Sequence, residues 1–180
     1  LDSAVYPVVV DPTFGYTTIG GSTQGTTSPL VCKYTMAAEN GDITKLSTYA
    51  QANAGTGSLG NAVYADNAVD PTTKLAEDSG NATITTTAQW LDTTLALAVT
   101  SSTVYWLGYW LTGDTKHFYD LAGASSNQMR LGSGTFETWP DPFGAGTGFS
   151  RQVSIYATYT AAAGMVPYQP NYQRGPILAQ

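Results

Sequence analysis

Thr103-Val-Tyr-Trp-Leu-Gly-Tyr-Trp-Leu111 is apolar on both sides of a period-two pattern. Successive side chains of an extended chain point to opposite faces of a sheet. Val104, Trp106, Gly108 and Trp110 therefore share one face, and Tyr105, Leu107, Tyr109 and Leu111 the other. A strand with one face in water carries polar residues on that face, and this segment has almost none. It is predicted to be a central strand, covered on both sides, or covered on one and functional on the other.

The segments around it repeat the theme. Arg151-Gln-Val-Ser-Ile-Tyr-Ala-Thr-Tyr159 alternates through Val153, Ile155, Ala157 and Tyr159 and reads as a closing strand. Trp90 to Val99 is the one stretch where a helix is arguable. Thr93, Thr94 and Val99 lower its helix propensity, and Leu95, Leu97 and Val99 alternate with smaller residues, so it is read as strand. Leu30–Ala38 and Ile43–Ala50 flank Asn40-Gly41, a pair that tolerates positive φ and marks a hairpin turn. In that hairpin Ile43, Lys45, Ser47 and Tyr49 share one face, and Thr44, Leu46, Thr48 and Ala50 the other. Shorter strands are expected at Phe14–Ile19, Asn61–Asp66, Lys116–Leu121 and Asn127–Leu131, while Pro71–Asp78 is ambiguous and Gly132–Ser150 is a long loop. Nine or ten strands at eight-to-twelve-residue spacing predict an all-β, jelly-roll-like two-sheet sandwich.

Composition narrows the function classes. The 180 residues suit one domain with a proper core. Only 11% are charged and the net charge is −6, which argues against nucleic acid, whose phosphates demand a basic face. No apolar run approaches the roughly 18 residues that span a bilayer. The chain starts with Leu1 rather than Met, which points to processing or truncation and leaves export open. Low Lys content, abundant Thr and a lone Cys32 suit an extracellular protein without disulfides. Cys32, between Val31 and Lys33, is expected to be a small buried hydrophobe.

Catalytic and metal chemistry finds little purchase. His117 is the only histidine; nothing around it resembles a nucleophile elbow, and one His with one Cys cannot supply a zinc site. No enzyme and no cofactor are expected. Most acids, Asp78 among them, sit in turns, where Asp bonds to its own backbone. Asp120, Glu137 and Asp141 are calcium candidates if their loops converge; turn acids without an ion are the favoured reading. Trp90, Tyr109, Trp139 and Phe143 are the candidates for stacking on sugar rings, whereas Trp106 and Trp110 read as inward-facing core. Asn81-Ala82-Thr83 is an N-glycosylation sequon placed in a turn.

Several motifs occur in order: Ala62-Val-Tyr-Ala-Asp66, Val104-Tyr-Trp-Leu107, Tyr119-Asp120, Trp139-Pro-Asp-Pro-Phe-Gly144, and Ser150-Arg151 before Ser154-Ile-Tyr-Ala-Thr-Tyr159. Over about Phe14 to Tyr159 the chain resembles a jelly-roll β-sandwich module of bacterial and archaeal secreted and surface proteins. The resemblance implies a fold and a setting beside adhesive or carbohydrate-active domains, with no settled activity.

Three parts result: residues 1–12 as an extended segment, 13–160 as the sandwich, and 161–180 as a Pro-rich tail. Ala4-Val-Tyr-Pro-Val-Val-Val10 is extended and β-branched. It either completes its own sandwich or is donated to a neighbour by β-augmentation. Burying Val5, Val8, Val9 and Val10, beside Tyr6, contributes about 1.5 to 3 kcal/mol per side chain before entropy is subtracted. Tyr168, Tyr172, Ile177 and Leu178 of the tail are available to dock on the same neighbour. Such head-to-tail contacts build open filaments. The expectation is a structural subunit of an extracellular, pilus-like filament or surface assembly of this chain. The alternative is a carbohydrate-binding or adhesin domain, with a virion or tail-fibre protein as a third reading.

Overall fold

The structure is a computed structural model, described for residues 11–36, 39–78 and 80–162. The expected contact residues Val5, Tyr6, Val8, Val9 and Val10, and Tyr168, Tyr172, Ile177 and Leu178, lie outside the described residues. Within them the fold is all-β. In chain order the strands are β1 (Thr13–Gly15), β2 (Ser22–Gly25), β3 (Leu30–Thr35), β4 (Gly41–Ala52), β5 (Gly57–Asp66), β6 (Pro71–Glu77) and β7 (Ala82–Ile84). They continue as β8 (Gln89–Val99), β9 (Val104–Leu111), β10 (Thr115–Asp120), β11 (Met129–Leu131), β12 (Thr147–Phe149), β13 (Gln152–Val153) and β14 (Ile155–Ala161).

Two antiparallel sheets face each other. In the first, β4 lies between β8 and β14, with β1 beyond β14. The end of β4 passes to β10, which also pairs with β2 and β13. The second runs β12-β11-β3-β9-β5-β6, with β7 sharing the outer side of β5. The chain crosses between the sheets from β3 to β4, β4 to β5, β8 to β9 and β9 to β10, so these consecutive strands do not pair with one another, whereas β5 and β6 form a hairpin.

That crossing corrects the hairpin expected at Asn40-Gly41. β3 pairs with β9 and β11 in the second sheet, and β4 belongs to the first. Both strands carry an apolar face, and two such faces are buried by packing face to face across the core. The expected faces of β4 are also corrected. Its register against β8 shifts between Ile43 and Lys45, and its register against β14 shifts between the partners of the same two residues. Thr44 Oγ1 donates to Thr158 O at 3.3 Å. The shift brings Ile43 inward together with Leu46, Thr48 and Ala50. The ambiguous Pro71–Asp78 segment is strand over Pro71–Glu77, and the Trp90–Val99 segment is strand as read.

The inner core gathers Leu46, Leu59, Val63, Leu107, Leu111, Ile155 and Tyr159 among others, with Cys32 fully buried as expected. Tyr34 Oη donates across it to Val153 O at 2.7 Å, and a polar clasp is built around Asn61. Asn61, on β5, is 0% exposed; its amide donates to Thr48 Oγ1 and to Gly108 O, both at 2.9 Å, and its Oδ1 accepts from Thr93 Oγ1 at 3.0 Å. The second sheet is thereby tied to β4 and β8 of the first by groups that would cost about 1 to 3 kcal/mol each if left unpaired.

Trp106 and Trp110 do not face the inner core. They lie on the outer face of the second sheet with Val31, Ala62 and Tyr64, and the segment after β11 folds over them. Trp139 meets Trp110 edge-on at 5.4 Å between ring centroids, and Phe143 meets Tyr64 at 5.2 Å. The indole N–H groups reach Asp66 Oδ1 and Thr27 O, each at 2.7 Å. A Gly- and Pro-rich loop thus provides a second, smaller core. Trp139→Ala is expected to destabilise the protein by about 3 to 5 kcal/mol, read as a fall in the urea midpoint; a shift no larger than a surface substitution gives would contradict this cover.

Candidate functional site

The four aromatic candidates for sugar stacking separate. Tyr109 is 0% exposed in the inner core, and Trp139 and Phe143, at 6% and 7%, are the lid over the tryptophans. Those three are structural first; Trp90 alone is half-buried on an outer face. It joins three residues that the sequence pattern does not single out. Tyr49 lies opposite it on β4, Tyr156 on β14 and Phe118 on β10. Trp90 meets Tyr49 at 5.3 Å and Tyr156 at 4.9 Å, and Tyr49 meets Phe118 at 4.9 Å, all edge to face. Because the rings turn their edges to one another, the strip largely satisfies itself. Lys45 and Ser47 flank it and both donate to Asp92, at 2.6 and 2.5 Å.

A concavity that brings several polar side chains together with aromatic rings lies on the other sheet. A cleft of about 250 Å³ is lined by Gly60, Glu77, Asp78, Gly80, Asn81, Phe136, Glu137 and Trp139. Its position follows from the lid: Phe136, Glu137 and Trp139 descend with the loop onto β5, the end of β6 and the start of β7. Gly60 makes room, since a methyl group there would sit 3.2 Å from Asn81 Oδ1 and 3.8 Å from Trp139 Cζ2. Glu137 holds a left-handed backbone, φ 69°, uncommon for a residue with a side chain. Asn81 Nδ2, the atom to which a glycan at the sequon would be attached, donates to Glu137 Oε1. Asp78 Oδ2 is buried without a partner among the described residues, and burial pushes the Asp78 carboxyl up to about 6. Carboxylates and an amide beside aromatic rings can hold hydroxyl groups and an apolar ring face together.

The calcium candidates do not converge. Asp120 accepts from Tyr16 Oη at 2.6 Å and from Gly21 N at 2.8 Å, and the Tyr16 bond chiefly holds its pKa below the ordinary value. Asp141 accepts from Lys74 N at 3.0 Å, and Glu137 belongs to the cleft. Among the described residues no three His, Cys, Asp or Glu side chains are grouped to hold a metal ion. No described helix is long and apolar enough to cross a membrane.

His117 is buried on β10, its ring 5.3 Å from that of Tyr109. Neither of its ring nitrogens nor the Tyr109 hydroxyl has a hydrogen-bond partner among the described residues. Burial, and then the Arg151 charge, push its pKa from the ordinary 6.5 down to about 3. The folded state therefore prefers neutral His117. The stability this contributes is complete above pH 6.5 and is lost as pH falls towards about 3. Burial also pushes the Cys32 thiol up to about 11, which keeps it protonated and inert.

No family model, no curated protein and no solved structure matches the chain.

His117→Phe replaces two unpaired nitrogens by an apolar ring. Its unfolding free energy in urea is expected to be close to wild type at pH 7. Near pH 4 it is expected to exceed wild type by a few kcal/mol, since each pH step below the ordinary histidine value costs the wild type ~1.4 kcal/mol. Parallel pH profiles for the two proteins would contradict the assignment.

Proposed function

We propose that the chain is a structural subunit of an extracellular filament or surface assembly, joined to copies of itself through its N-terminal segment and without catalysis of its own. The observation that carries the reading is the inequality of the two margins of the first sheet. At one margin β1 is three residues long, and Pro12, just before it, accepts a hydrogen bond from Tyr159 N at 3.0 Å. Asp11 and Pro12 lead the chain into β1 at this margin. At the opposite margin β8 runs for eleven residues and pairs only with β4 among the described residues. Unlike margins favour heterologous, head-to-tail contact, which grows open chains rather than closed pairs. The secreted-module resemblance points to the same setting, and the Pro-rich tail with Tyr168, Tyr172, Ile177 and Leu178 reinforces the contact.

Deleting Leu1–Val10 tests the reading. Light scattering and electron microscopy are expected to find long polymers of the full chain and dispersed particles of the truncated one. Polymers unchanged by the deletion would sink it, as would a full chain that stays monomeric at high concentration.

A second reading, glycan binding in an adhesive setting, is favoured by the Trp139 cleft. Here the informative substitutions are Asp78→Asn and Glu137→Gln, because Trp139→Ala also removes the lid. On a glycan array, wild-type signal that both variants lose is expected; an array silent for wild type, or indifferent to both changes, excludes the cleft.

A further inference from the structure

Sheet margins that natural proteins leave open are short, charged, bulged or interrupted by proline. Most margins here obey. β1, β2, β7 and β12 run for three or four residues. β6 begins at Pro71 and carries the Lys74–Glu77 ion pair at 2.8 Å. β8 is the least guarded of the described margins: eleven residues, no proline, one bulge, and a single charge, Asp92, already engaged by Lys45 and Ser47. Its ladder with β4 shifts once, between the pairs Ile43–Leu97 and Lys45–Thr94, which leaves Gln89 to Thr94 as an uninterrupted run.

The backbone direction along that run follows from the neighbouring ladder. Tyr49 N donates to Ser154 O at 3.0 Å, on the side of β4 away from β8. Tyr49 lies opposite Trp90, so the two form a non-hydrogen-bonded pair whose amide and carbonyl groups point out of their shared ladder. The N–H and C=O of Trp90, and by alternation those of Asp92 and Thr94, therefore face the margin that no described strand covers.

Residues 4–10 complement this edge. Pro7 has no N–H, so Pro7, and by alternation Val5 and Val9, must face away from an acceptor strand. Tyr6, Val8 and Val10 then turn their backbone groups towards it. A proline on the new margin also refuses a further strand, which limits each acceptor to one donor.

We infer that the Gln89–Thr94 margin of β8 receives Ala4–Val10 of a second copy of this chain, bonded through Tyr6, Val8 and Val10, with Pro7 ending lateral growth. This acceptor site rests on the assembly reading above. The donor enters its own sheet at β1 and leaves to the β8 margin of the next, so growth is linear.

Hydrogen exchange of the 180-residue chain, read amide by amide in the dilute and assembled states, tests it. The Trp90, Asp92 and Thr94 amides are expected to slow by about tenfold or more on assembly, as newly bonded groups do. Amides of β8 that face β4 are expected to be slow in both states. Thr94→Pro removes only an outward N–H, is tolerated at an edge, and is expected to abolish assembly while near-ultraviolet circular dichroism stays native. Polymers in which those three amides exchange as in the dilute protein would overturn the inference and leave the assembly reading standing. So would a folded Thr94→Pro that assembles like wild type. A monomer with the three amides protected marks the chain's own segment as occupant and overturns both.

Discussion

The burial of β9 on both faces is the constraint from which the rest of the structure follows. Its inner face, with Tyr105, Leu107, Tyr109 and Leu111, packs into the space between the sheets. Its outer face carries two tryptophans that a single sheet would leave in water. Trp106 and Trp110 each bring a large apolar surface and an indole N–H that needs a partner. The chain answers with Asp66 and the carbonyl of Thr27 for the N–H groups, and with Phe136, Trp139 and Phe143 for the rings. The loop that supplies those rings cannot also lie flat, and its descent beside Gly60 leaves the acidic cleft.

Period-two patterns reveal which residues share a face. They do not reveal which face is inside, because that depends on partners far along the chain. For β9 the pattern is enough to predict double burial. It still puts Trp106 and Trp110 on the wrong side, since their cover comes from a Gly- and Pro-rich loop with no strand signature. Asn40-Gly41 carries a sound turn signal and yet joins strands of different sheets. Asn61 falls within a short predicted strand, and nothing local marks it as the polar clasp between the sheets. Tyr49, Phe118 and Tyr156 are invisible as a group in the sequence because only the registers of β4, β10 and β14 bring them to Trp90. Asp78 has the look of an ordinary turn acid; its distinctiveness arises from the loop that buries it.

The two sheets solve their outer surfaces differently. The second hides its outer face under the lid and ends in short or charged strands. The first keeps a polar outer face with a self-packed aromatic strip, and among the described residues leaves one long margin, β8, with a strand on one side only. Side-chain chemistry alone would direct attention to the cleft. Backbone accounting directs it to β8, because open N–H and C=O groups in a regular run are a template for another strand.

Cryo-electron microscopy of polymers of the 180-residue chain tests strand donation to β8 most directly. An extra strand is expected about 4.8 Å outside β8, continuous with the β1 end of the adjacent subunit. A reconstruction in which the first sheet ends at β8, with subunits meeting through other surfaces, would contradict it.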